Sequence, residues 1–180
     1  MSVKLLKLQI RIYYWVFTGK INKLSSRLFV SFKKGEAKKI LIIFPMDEPS
    51  FRVAIYAFRE LGQDAKSQKN IKFIIKEQFK DLFHLHVGVP IMVENSAYDR
   101  VLSDEKEILE KVQNTRYDMV IDLNSNFHLG IARLVSLIRG DMKIGFSNEF
   151  SDLFYNIQLD ISKSGIMEKG YKQINTILAS

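Results

Sequence analysis

A chain of 180 residues, 47% of them hydrophobic and none of them cysteine, has material for one packed core and excludes a disulfide framework or a thiolate metal site. Its net charge of +7 is local: ten Lys or Arg fall within residues 1–39 against one acid, Glu36, whereas the remainder holds 17 basic and 19 acidic side chains. The longest apolar run of that basic segment, Ile12 to Phe17, is far below the roughly 20 residues a membrane-spanning helix needs, and no small-residue cleavage site marks a signal peptide.

Within the segment, Lys4, Lys7 and Arg11 recur as Lys20, Lys23 and Arg27, each set on one helical stripe. Leu5, Leu8, Ile12, Trp15 and Val16, then Ile21, Leu24 and Leu28, occupy other sides. The spacing predicts two basic amphipathic helices separated at Thr18-Gly19. One reading lays them on an anionic membrane surface, with Lys4, Lys7, Arg11, Lys20, Lys23 and Arg27 at the headgroups and Tyr13, Tyr14, Trp15 and Phe17 at the interface. The other packs them on the domain's own core with a solvated basic face. Nucleic acid is not an expected partner, because aliphatic bulk interleaves the cations and no nucleic-acid-binding motif is present.

From Lys39 onward, apolar runs alternate with amphipathic stretches. Ile40–Phe44 reads as a buried strand, Phe51–Leu61 as a helix stopped by Gly62, Ile71–Ile75 as a second strand, Glu77–Leu85 as a short helix and Ile91–Val93 as a third strand. Ser103 with Asp104 and Glu105 opens a helix whose Ile108, Leu109 and Val112 face inward. Residues 119–123 form a strand ending in Asn124-Ser125-Asn126, Phe127–Arg139 a helix, 142–146 and 155–159 strands, and Met167–Leu178 a closing helix. Alternating β and α elements joined by short loops predict an α/β domain with a doubly wound, mainly parallel sheet.

In such sheets a ligand binds beyond the carboxyl ends of the strands, where strand order reverses. That brings loop 45–50 beside loop 124–126. Ser50 reads as the helix N-cap, Asp47 and Glu48 as helix-entry charge or as carboxylates able to take a proton. Asp122 suits orientation of the loop, and Asn124, Ser125 and Asn126 suit either sugar hydroxyls or a turn. Lys143 reads as a solvated lysine or as a contact for an anionic ligand, and Gly145 as a site of close packing. His84 and His86 form a His-X-His pair with no evident third ligand, so no metal is expected. No glycine-rich phosphate loop is present and no cofactor is expected.

The succession Tyr117-Asp118-Met119-Val120-Ile121-Asp122-Leu123, a helix, then Lys143-Ile144-Gly145-Phe146 resembles the N-terminal half of the ADP-heptose:lipopolysaccharide heptosyltransferases, glycosyltransferase family 9. The resemblance extends loosely from Lys39 to about Leu159. It implies a single Rossmann-like domain over residues 37–180, the N-terminal half of a GT-B fold, preceded by the basic helical segment 1–36. The family's Gly-Asp, whose aspartate is the candidate base, falls on Pro49-Ser50 here. The resemblance therefore leaves Asp47 and Glu48 as candidate catalytic acids and Ser50, Asp122, Asn124, Ser125, Asn126 and Lys143 as candidate ligand-binding positions. It also implies a role in lipopolysaccharide or envelope glycan assembly at the inner face of the cytoplasmic membrane, with a glycan or lipid-linked acceptor. The length matches about one of the family's two domains. Two functions follow as expectations: a heptosyltransferase-like protein not competent for transfer alone, or an active subunit whose donor-binding domain comes from a partner chain.

Overall fold

In the computed structural model, which describes residues 3–22, 24, 39–61, 70–85, 88, 90–94, 100–162 and 165–179, the apolar runs form one sheet. Its strands are β1 (Lys39–Ile43), β2 (Asn70–Lys76), β3 (Ile91–Val93), β4 (Tyr117–Asp122), β5 (Gly140–Phe146) and β6 (Ile157–Leu159). Every pairing is parallel and the order is β3-β2-β1-β4-β5-β6. This is the Rossmann order, with its reversal between β1 and β4.

Strand alternation divides the inner strands between two cores. Ile40, Ile42, Phe73, Ile75, Met119, Ile121 and Ile144 pack with Phe51, Phe58, Phe79 and Tyr171 under α2 (Glu48–Ala57) and α5 (Met167–Ala179). Leu41, Ile43, Ile74 and Val120 turn the other way, against α3 (Glu105–Val112), α4 (Leu129–Leu137) and α1 (Val3–Phe17). Strands covered on both faces read as continuous apolar runs, which is why the sequence pattern locates them. Arg133 on α4 ties to Glu105 on α3 at 2.8 Å, with both side chains largely buried.

The elements depart from expectation at their ends. The short helix expected over Glu77–Leu85 is a 3-10 helix that ends at Leu82. α2 begins at Glu48, three residues early, because Asp47 caps it: Asp47 Oδ1 accepts from the Ser50 amide at 2.9 Å and Pro49 occupies the first turn. Ser50 is thus inside the first turn, not the cap. α4 starts at Leu129, because His128 is extended, and stops at Leu137, because Ile138 is extended.

α1 ends where Thr18-Gly19 suggests. Gly19 adopts φ 70°, Lys20 N donates to the Trp15 carbonyl and Gly19 N to that of Val16, a Schellman closure. The turn carries Ile21 into the core, where it is 2% exposed. A second helix does not begin here, since residues 18–22 are turn, bend or coil; Lys23 and Arg27 lie outside the described residues. α1 itself packs on the domain through Leu5, Leu8, Ile12, Trp15 and Val16.

Candidate functional site

At the reversal point, the chain leaving β1 and the chain leaving β4 are tied together. Leu123 N donates to the Ile43 carbonyl, and Met46 N donates to Asn124 Oδ1 at 2.9 Å. Asn124 in turn gives its amide N (2.9 Å) and its Nδ2 (2.7 Å) to Asp122 Oδ1. A short polar side chain after the strand thereby supplies bonds that the sheet ladder no longer provides.

Asp122, 2% exposed, takes a further bond on Oδ2 from Tyr155 Oη at 2.5 Å. Tyr155 precedes β6, and β5 lies between β6 and β4. The ring crosses β5 at Gly145, where a Cβ would stand 2.7 Å from ring atoms. Close packing at Gly145, expected from the sequence, is thus the passage of this ring. Burial pushes the Asp122 carboxyl above its ordinary value, opposed by the Tyr155 and Asn124 bonds. Burial first, then the Asp122 charge, raises the Tyr155 phenol well above the usual value. These groups form a buried fastening and not an exposed acid-base pair.

The rim of the crevice is polar. Asp47 is exposed; Lys76 at the end of β2 gives its ammonium to the Met46 carbonyl at 3.3 Å. Burial lowers the Lys76 pKa, and the Asp47 charge partly restores it. Tyr171 of α5 reaches across from below, donating to the Leu123 carbonyl at 3.1 Å, and its phenol is raised by burial and then by Asp47 and Asp122. Neither Lys76 nor Tyr171 nor Tyr155 is conspicuous in the sequence, because each is contributed by an element distant from the two loops. The nearest signal is Gly145, a glycine inside a strand, which marks the approach of another group.

The candidates divide accordingly. Asp47 and Asn124 come together where β1 and β4 end, with Asp122 and Ser50 as buried side chains beside them. Ser50 is 4% exposed, so its side chain is shut away from the rim. Glu48 is exposed but turned to Arg52, with 2.7 Å between the charged groups. Ser125 is half-buried and Asn126 exposed, both on the bend after β4. Lys143 does not join them: it is 8% exposed in mid-strand, and its Nζ donates to the Ser136 carbonyl at the C-terminal end of α4. Burial drops its pKa to about 8. A solvated lysine and an anion contact in the crevice are both corrected by this placement. Trp15 is also re-sited, from a membrane interface to the domain: the Arg133 guanidinium lies 5.0 Å from its ring centroid. Of the basic stripe, Lys7, Arg11 and Lys20 are exposed, and the side chain of Lys4 lies outside the described residues.

An exposed carboxylate (Asp47), an exposed amide (Asn126) and a half-buried ammonium (Lys76) at the strand ends suit a ligand bearing hydroxyls and negative charge. His84 is exposed after the 3-10 helix and His86 lies outside the described residues; among those described, no group of three His, Asp or Glu is arranged to hold a metal ion.

No family model matches the sequence, and no curated protein matches it. Solved structures do. An E. coli heptosyltransferase, WaaC with ADP-2-deoxy-2-fluoro heptose, superposes with a TM-score of 0.57 at 22% identity, covering 76% of this chain and 46% of that one. The same enzyme with ADP gives 0.57 and 22%, over 75% and 45%. A family 9 glycosyl transferase from Veillonella parvula gives 0.62 at 18% identity, over 81% and 42%. The chain spans less than half the length of these proteins, and over that span it has the Rossmann-like α/β fold of a family 9 glycosyltransferase, heptosyltransferase-like in architecture.

Proposed function

We propose that this chain is a heptosyltransferase-like acceptor module of lipopolysaccharide or envelope glycan assembly, not competent for sugar transfer by itself. The observation that carries this reading is Ser50. The resemblance aligns it with the family's candidate base, and it is a buried hydroxyl in the first turn of α2, bonded to no base among the described residues. The adjacent carboxylates are engaged, Asp47 in the cap and Glu48 with Arg52. The polar rim at Asp47, Ser125 and Asn126 would take the hydroxyls of a glycan or lipid-linked acceptor. Donor-binding groups would come from outside these 180 residues.

Calorimetric titration with lipid A core oligosaccharide fragments, and separately with ADP-sugars, tests this. Heat from the core fragments without heat from ADP-sugars is the expected result. ADP-sugar binding with turnover, or no binding of either, would overturn the reading.

A second reading, an active subunit completed by a donor domain on another chain, draws on the exposure of Asp47. A carboxylate that uses one oxygen in a cap still has a second oxygen for a proton. Asp47→Asn keeps the cap and removes the base, so unchanged transfer by the completed enzyme would exclude Asp47.

A further inference from the structure

We propose that α1 is a two-faced helix whose outward stripe, Leu6, Ile10, Tyr13, Tyr14 and Phe17, docks on an anionic lipid surface while its inward stripe fixes the domain to it. The two stripes lie on opposite sides of the helix. Inward are Leu5, Leu8, Ile12, Trp15 and Val16, with Ile12 fully buried. Outward, Leu6 is 45% exposed, Ile10 61%, Tyr13 66%, Tyr14 56% and Phe17 91%. Among the described residues, the other exposed large hydrophobics are Tyr56 on α2 and Val101 and Ile166 in two separate loops. Contiguous apolar exposure is therefore concentrated on this one helix.

Charge identifies the occupant. α1 contains no acid, Lys7 and Arg11 are exposed along one flank of the stripe, and Lys20 holds its ammonium 5.6 Å from the Tyr14 ring centroid. Tyrosines beside aliphatics, with cations at the margin, match the boundary between acyl chains and negative headgroups. A second copy of the chain would instead set two cation-flanked, acid-free helices against each other. Fifteen residues give a helix of about 22 Å. No described helix is long and apolar enough to cross a membrane, so α1 would lie in the interfacial plane.

The attachment to the domain is firm. Besides Ile12, the Arg133 guanidinium covers Trp15, and Gln9 donates to Glu149, just past the carboxyl end of β5, at 2.6 Å. Docking would thus orient the sheet as well as recruit it. This inference stands independently of any sugar-transfer activity.

The test is co-sedimentation of the full chain with phosphatidylglycerol-containing and pure phosphatidylcholine vesicles. The chain is expected to bind the anionic vesicles in a salt-sensitive manner, and Ile10→Ser/Tyr13→Ser/Phe17→Ser to weaken binding roughly tenfold or more with an unchanged thermal midpoint. Wild-type affinity in the triple variant, or no binding by the wild type, would overturn the proposal. The sole tryptophan offers a second readout that needs no apolar-to-polar change. With brominated lipids, Trp15 is expected to be weakly quenched and a Phe17→Trp fluorophore in a Trp15→Phe background strongly quenched. Equal quenching would mean that the inward face inserts, and self-association abolished by the triple variant without any vesicle binding would make a second copy the occupant.

Discussion

Tyr155 reaches Asp122 across an intervening strand, its hydroxyl 2.5 Å from Oδ2 and its ring resting on Gly145. The two stretches that carry the family resemblance, Tyr117–Leu123 and Lys143–Phe146, are already paired as neighbouring strands, and this side chain, which belongs to neither, adds a second link by passing over β5 to Asp122. Removing the hydroxyl alone, as in Tyr155→Phe, deprives a buried carboxylate of a donor while keeping the ring. The expected cost is about 2 kcal/mol, read by urea denaturation. A loss near zero would show that Asn124 alone satisfies Asp122.

Gly145→Ala should fail for a different reason. Its Cβ would lie 2.7 Å from the Tyr155 ring, within a packed layer, so a penalty of about 1–3 kcal/mol is expected. Introduced together with Tyr155→Ala, the same change should cost much less. Equal penalties in both backgrounds would place the strain elsewhere.

Asp47 separates a structural from a chemical role by substitution. Asp47→Ala is expected to lose about 1 kcal/mol by uncapping α2, whereas Asp47→Asn, which still accepts from the Ser50 amide, is expected to lose little. Thermal or chemical denaturation of the two variants checks this. If both lose equally, the charge and not the hydrogen bond holds the helix start.

Lys143 predicts a pH dependence. Its ammonium is buried with one carbonyl partner, and burial lowers its pKa to about 8 from the ordinary lysine value of 10.5. The folded state therefore releases a proton that the unfolded state keeps. The penalty of burying the charge is full below pH about 8 and is relieved as pH rises toward about 10.5. Lys143→Met should be more stable than the wild type at neutral pH, by on the order of 2 kcal/mol, and the gap should narrow through that window. A gap independent of pH would mean that the lysine is neutral, or solvated, throughout.

The sheet was legible because its strands are buried on both sides, which leaves apolar runs such as Ile40–Phe44 with little polar punctuation. Helix starts were less so. Asp47 and Ser50 are both good caps, and Pro49 in the first turn, which favours the earlier start, was the discriminating residue. Trp15 was indistinguishable from its aromatic neighbours, since periodicity orders the sides of a helix without saying which one meets the domain. Lys143 was placed on a strand, but the Ser136 carbonyl that receives it is set by how α4 packs. Tyr155 joins the candidate site through a contact 33 residues distant in sequence, which no local pattern encodes.

Among the described residues, both margins of the sheet are three-residue strands, β3 at one side and β6 at the other. A border this brief offers few free amides and carbonyls for another chain to extend, so lateral growth into larger sheets is held in check. A crowded layer of such molecules would accordingly stay separate along their strand borders, each retaining its own orientation.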